Sequence, residues 1–393
     1  MPETTATTTP TAFAGAPRDP VLPVLERAQE AGIRQVLDRD GRLLADADPG
    51  ISRETARRMY RTMVAVRILD ERGWELQRAG RVEFWIPSRG QEASHVASTA
   101  ALEASDWVFL ADREPGTMLW RGASFEAIFS QVFGRFDEPL QGRRLPLLFG
   151  DRSRNVLPCT TQVGAYIPHA AGAAWAARLR GDDTRFIVYF GDGATSRGEF
   201  HSTLNFAGIH KPPIILFCQN NGWAVSTPTD RQTGSETFAG KAPPYGVTGV
   251  RVDGNDFLAV HEVTREARDA APERGATMIE AVTYRLGFHT SSDNPDLYRN
   301  RDELEAWAEW DPIKRAKGFL THYDGWTDDE DAAMVAALRE EIRTAVHTAE
   351  AKALPQPADQ FDHVFAELPD HLAEQRAQLL ADLALPLEKE HRA

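Results

Sequence analysis

Residues 188–200 read VYFGDGATSRGEF, an apolar run that stops at Gly191-Asp192-Gly193 and gives way at once to a polar, helix-prone segment. In an open parallel sheet, ligands bind beyond the carboxyl ends of the strands. Glycines let the backbone approach a ligand closely, and a helix N-terminus offers unpaired N–H groups to an anion. The place suits a phosphate, and a carboxylate aimed at phosphate makes sense only with a cation between them. Magnesium fits, because it takes hard oxygen ligands and is commonly shared between carboxylates and phosphates. The next apolar run, PIILFCQ (213–219), ends in Asn220-Asn221-Gly222-Trp223, which brings amide oxygens to a second strand end. Asp192 and Asn221 lie 29 residues apart, one strand–helix–strand unit, a spacing that can place both side chains on one ion. A lone Gly-Asp-Gly is most often an ordinary turn; the strand–helix–strand frame and the paired asparagines make this one a candidate site.

The surrounding elements must hold that pair. A helix is expected to start at a Ser52 N-cap and to run to residue 80, with Met59, Met63, Val66 and Leu69 at helical spacing. Further helices are expected at 90–104, 122–134, 167–181 and 196–208, and strands at 185–190, 213–219 and 278–285. Strands alternating with helices predict an α/β fold, a doubly wound, mostly parallel sheet covered on both faces. The C-terminal region reads as helical, with one helix over 328–353 and the amphipathic stretch PDHLAEQRAQLLADL after a Leu-Pro-Gln-Pro break. The expected organisation is a disordered or irregular lead over 1–50, with strand-like pieces such as 35–37, an α/β domain over 51–325 and a helical extension over 326–393.

Bulk properties narrow the function classes. A formal charge of −14 over 393 residues argues against nucleic-acid or anionic-membrane partners, both of which need basic surface. No window approaches the roughly 18 apolar residues of a membrane span, and the Thr-, Ala- and Pro-rich first twenty residues carry no signal-peptide pattern. The two cysteines, Cys159 and Cys218, lack metal-ligand spacing and fit a reducing compartment, so a cytoplasmic location is expected. Cys159 reads as a small packed side chain rather than a nucleophile.

The same residues carry a resemblance. Gly-Asp-Gly, a helix, then a strand ending in Asn-Asn is similar to the thiamine-diphosphate motif. The longer stretch GDGATSRGEFHSTLNFAGIHKPPIILFCQNNGWAVSTPT resembles the alpha subunit of the decarboxylating first component of 2-oxoacid dehydrogenase complexes. GRVEFWIPSRGQEASHVASTAAL, DWVFLADREPG, YGVTGVRVDGNDFLAV and YRLGFHTSSDNPDLYR extend the likeness from Arg57 to Tyr323. It implies a thiamine-diphosphate-binding sheet and two cofactors, thiamine diphosphate and Mg2+. Asp192, Asn221 and the backbone oxygen of Trp223 would hold the metal, and Gly193, Ala194 and Arg113 the diphosphate. Thr161 and Val163 would lie against the cofactor, and His289 would touch both the cofactor and the reacting centre as the catalytic residue. Phe84 and Trp85 match an aromatic pair near the substrate pocket, and Asp112 stands where many relatives have tyrosine. Taken without the resemblance, Arg113 reads as a surface arginine, His289 as a solvated loop histidine, and the aromatic pair as core.

The implied activity is oxidative decarboxylation of branched-chain 2-oxoacids, with acyl transfer to a lipoyl group. Pyruvate and acetoin dehydrogenase alpha subunits are the alternatives within the family. A noncatalytic scaffold subunit that keeps the fold is the alternative of another class. The implied partners are a beta subunit in an α2β2 heterotetramer, which brings the second half of the cofactor site, and a lipoyl-bearing acyltransferase.

Overall fold

The computed structural model describes residues 23–44, 50–158 and 160–384. Most of the expected lead, and Cys159, therefore lie outside the described residues. The part of the lead that is described holds short elements among turns. Val24–Arg27 forms a 3-10 turn that buries Leu25, strand β1 (Ile33–Arg34) follows, and Leu37 bridges Leu43. The strand lies just before the expected 35–37 piece. Two residues are too few for a hydrophobic period to betray them.

Next in the chain come α1 (Arg53–Arg78), α2 (Glu92–Ala100), β2 (Trp107–Phe109), α3 (Pro115–Trp120), α4 (Phe125–Val132), β3 (Val156–Leu157) and α5 (Ile167–Arg180). The motif region holds β4 (Phe186–Gly191), α6 (Gly198–His210), β5 (Ile214–Asn220) and the small hairpin β6 (Trp223–Ala224) and β7 (Thr227–Pro228). After it follow β8 (Thr248–Asp253), α7 (Phe257–Arg274), β9 (Thr277–Val282), α8 (Arg301–Ala308), α9 (Pro312–Asp324), α10 (Asp328–Glu350) and α11 (Asp370–Ala384). Ser52 caps α1 as expected, its hydroxyl accepting the Thr55 N–H, and Thr327 with Glu330 forms a capping box at α10.

Seven strands form one sheet in the order β1-β8-β9-β5-β4-β2-β3, with every neighbouring pair parallel. Apolar residues alternate between its two faces. Ile187, Tyr189, Ile215 and Phe217 face a core with α1, α2 and α7, while Val188, Phe190, Leu216 and Cys218 face one with α5 and α6. Both faces are covered, which is why β4 and β5 are continuous apolar runs. The expected doubly wound α/β fold is what the chain adopts. Leu338, Ile342, Val346 and Ala349 of α10 join the first of these cores, so this helix belongs to the main body. By contrast, α11 has no buried residue.

The pairing of β4 with β5 positions the site. Its register runs from Phe186↔Ile214 to Gly191↔Gln219, so the two strands end level. Asp192 and the Asn220-Asn221 pair leave the sheet at the same edge.

Candidate active site

Beyond that edge lies a cleft of about 640 Å³. Phe84, Asp112, Arg113, Thr161, Val163, Asp192, Gly193, Ala194, Asn221, Trp223 and His289 all line it, although they come from six separate stretches of the chain. Of the residues that the resemblance assigns to the site, only Trp85 stays out. Its ring is fully buried in the core, the indole N–H donates to Asp70 at 3.1 Å, and a Cβ on Gly73 would fall 2.2 Å from it. Alternation along the extended segment 84–86 explains the correction: Phe84 and Ile86 face the cleft, and Trp85 between them faces α1.

Asp192 is 1% exposed. Its carboxylate accepts the Asn221 backbone N–H at 3.4 Å and the Gln232 amide N–H at 2.6 Å. Burial pushes its pKa up, and these neutral donors pull it back only in part. The Asn221 amide nitrogen donates to Gln91 Oε1 at 3.1 Å, which turns Asn221 Oδ1 the other way. That oxygen accepts the Trp223 N–H at 3.2 Å. Gly193 has a steric reason to be glycine, since a Cβ there would meet the Ala224 methyl at 2.7 Å. Among the described residues no three His, Cys, Asp or Glu side chains cluster as a metal site. One carboxylate with an amide and a backbone oxygen is a set that such a cluster does not represent.

Arg113 is 5% exposed. Its guanidinium donates to Pro87 O at 2.6 Å and to His289 O at 2.7 Å, and lies 2.8 Å from His289 Nδ1. Asp112 Oδ1 is 4.0 Å from Arg113 Nε. Burial first, then Arg113 and Arg285, hold the His289 pKa down at about 4. The imidazole is therefore neutral near pH 7. Because Nδ1 takes the Arg113 N–H, its proton sits on Nε2.

Several residues that matter here escaped the sequence reading. Arg285 is buried and bonds Val225 O, the Tyr298 hydroxyl and Trp223 O. Burial, then Arg113, lowers its pKa to about 10. A lone arginine closing the apolar run before the His289 loop was the available signal. Val225 lines the cleft with φ of 55°, a strained conformation for a β-branched residue. Beneath Arg113, Glu114 is buried and accepts from Gln219, and burial raises its pKa to about 8. No sequence spacing reveals such a pair.

A parallel α/β sheet with a carboxylate, an amide and bare glycine backbone at two adjacent strand ends, facing a largely apolar cleft, places the chain among α/β proteins whose ligand cleft lies beyond the carboxyl ends of the strands. Comparison with known proteins narrows this class. The family described as the dehydrogenase E1 component matches residues 60–358, and the chain belongs to it. It is 39% identical over 367 residues to the mitochondrial 2-oxoisovalerate dehydrogenase subunit alpha of Caenorhabditis elegans, covering 93% of this chain and 83% of that one. The Mus musculus counterpart is 38% identical over 354 residues, 89% of this chain and 80% of that one. The subunit alpha 2 of Arabidopsis thaliana is 36% identical over 344 residues, 87% and 73%.

Proposed function

We propose that the chain is the alpha subunit of a branched-chain 2-oxoacid dehydrogenase, which decarboxylates substrates such as 3-methyl-2-oxobutanoate oxidatively and passes the acyl group to a lipoyl arm. The observation that carries this is a cleft that gathers the Asp192 carboxylate, the Asn221 amide and the Gly193 backbone together with apolar side chains such as Phe84, Ile86 and Leu148. The relatives' names, 2-oxoisovalerate dehydrogenase subunit alpha, support the branched substrate. Those relatives are named as mitochondrial; the cytoplasmic location expected from this sequence stays a proposal, tested by cell fractionation.

The residues fit thiamine diphosphate with Mg2+. Asp192 is a buried carboxylate whose hydrogen-bond partners among the described residues are neutral N–H groups, so a cation beside it lowers the cost of its burial. Asp192, Asn221 Oδ1 and Trp223 O would hold the metal, while Arg113 and the backbone of Gly193 and Ala194 would hold the diphosphate. When bound, thiamine diphosphate supplies the electron sink for loss of carbon dioxide.

The chain's own residues do the rest. His289 presents its Nε2–H as a neutral donor toward the reacting end of the cleft, and Arg113 fixes the ring through Nδ1. Phe84, Ile86, Leu145 and Leu148 line the cleft and would accept an aliphatic side chain. One methylene in such a pocket is worth ~1–3 kcal/mol, so a branched acid gains over pyruvate by contact area.

A beta subunit and a lipoyl-bearing acyltransferase belong to the proposal. Val364, Phe365, Leu380 and Leu383 are all at least 45% exposed on or beside a helix that has no buried residue among the described residues. Apolar surface of this kind is what a second subunit covers.

The test is decarboxylation by this chain co-expressed with its beta subunit, given thiamine diphosphate, Mg2+ and an artificial electron acceptor. Preference for 3-methyl-2-oxobutanoate over pyruvate supports the reading. Preference for pyruvate overturns the substrate and keeps the enzyme class.

A further inference from the structure

Asp192 meets a side chain that the proposed chemistry does not use. The Gln232 carboxamide donates one N–H to Asp192 Oδ2 at 2.6 Å and the other to Thr227 O at 3.0 Å. Its carbonyl oxygen is shielded from solvent and has no hydrogen-bond partner among the described residues. Both donors are thus used and the acceptor is stranded, in a residue beside a buried carboxylate. A stranded buried carbonyl costs stability, so this arrangement is held by what the N–H does for Asp192. The donor also stands on the same carboxylate that the proposed cation needs. An N–H and a metal ion cannot share one lone-pair direction on Oδ2.

The segment that carries Gln232 is built to let go. No residue from Ala224 to Thr237 is buried. Gln232 sits just past the short turn Thr229–Arg231, and its backbone is tied to the body by a weak contact, the Ser196 hydroxyl donating to Gln232 O at 3.4 Å. Asn221 is held differently: Gln91, fully buried at the N-cap of α2, fixes its amide from behind. One metal-facing side chain is therefore fixed by a buried N-cap residue, and the other is covered from an exposed loop.

We propose that Gln232 is an exchangeable cap on the cation site. Its N–H satisfies Asp192 Oδ2, and a divalent cation that takes this oxygen in the same direction displaces it. The capped fraction of molecules cannot take the ion, so the apparent affinity is lower than the intrinsic one by the uncapped fraction. This inference rests on the reading of Asp192 as a metal ligand and adds a residue that opposes binding rather than supporting it.

The sign of the effect makes it testable. With the chain assembled with its beta subunit and saturated with thiamine diphosphate, Mg2+ is titrated by the quenching of tryptophan fluorescence, and Mn2+ binding is read by electron paramagnetic resonance. The melting temperature of the cation-free complex is measured alongside. Gln232→Ala and Gln232→Met are expected to bind either ion about three- to tenfold more tightly, the worth of one lost competing hydrogen bond, and to melt lower without it. Unchanged or weaker cation binding by both variants overturns the cap. Asp192→Ala separates the two levels: if it binds Mg2+ as the wild type does, the metal reading fails; if it loses the ion while the Gln232 variants bind no tighter, only the cap fails.

Discussion

A single carboxylate carries most of the chemistry read from this chain. Asp192→Ala is expected to weaken Mg2+-dependent binding of thiamine diphosphate by about 100-fold or more, since outer-shell changes alone reach that scale; calorimetry on the assembled complex measures it. His289→Ala is expected to lower kcat by about 10²–10⁴-fold, the worth of a positioned proton donor, with a smaller change in KM. Protonation also links this site to stability, with opposite signs for two neighbours. The His289 pKa falls from 6.5 to about 4 on folding, so its contribution is complete above pH 6.5 and is lost as the pH falls through the folded value. Glu114 rises from 4.5 to about 8, so its contribution is complete below pH 4.5 and is lost as the pH rises through 8. Glu114→Gln is accordingly expected to flatten the fall in melting temperature between about pH 5 and about pH 8. A melting series across that range checks it.

At the scale of elements, the cleft depends on how one extended segment is pinned. Residues 84–88 run past α1, where Asp70 accepts from the Trp85 indole and the Ser88 N–H, while Pro87 O receives Arg113. The Trp85 backbone N–H and carbonyl also bond Ser291 of the His289 loop, at 3.2 and 2.9 Å. Trp85 thus anchors both the Phe84–Ile86 side of the cleft, through its buried ring, and the loop that carries His289, through its backbone. Gly73→Ala puts a methyl into that ring, and overpacking of this kind costs roughly 1–3 kcal/mol. The expected outcome is a lower melting temperature together with a raised KM for the 2-oxoacid.

Across the whole molecule, a buried ion pair fastens the N-terminal segment to the sheet. Arg315 of α9 and Asp253 at the end of β8 are both fully buried and 2.8 Å apart. Arg315 also donates to the carbonyls of Leu37 and Asp38, and Asp256 takes the N–H groups of Val36 and Leu37. Removing one partner of such a pair leaves a charge buried alone, at about 3–5 kcal/mol. Arg315→Leu is expected to lose that much in denaturant unfolding and to loosen residues 33–44, read by hydrogen exchange. The proposed partner surface lies at the opposite extreme of burial: Leu380→Glu is expected to leave the melting temperature within about 1 °C, as exposed substitutions do, and to weaken assembly with the beta subunit on a sizing column.

The placement of the motif residues at the strand ends was legible in the sequence because it is local. Gly191-Asp192-Gly193 and Asn220-Asn221 close apolar runs whose length marks buried parallel strands, and one strand–helix–strand unit brings them level. The long helix from Ser52 and the capped helix at 328 carry their periods and caps within themselves. Strands of two or three residues carry no period, so β1, β2 and β3 emerge only when the sheet pairs them. Trp85 was misplaced for a related reason: whether Phe84 or Trp85 faces the cleft depends on a one-residue register that α1 sets from outside the segment. Gln232, Arg285, Gln91 and the Glu114–Gln219 pair act across 40 to 130 residues of chain or beside neighbours they meet only by folding. Residue types and one strand–helix–strand spacing determined which groups reach the strand ends; tertiary structure decided which donors cover them, because a buried carboxylate takes its partners from whatever the fold packs around it.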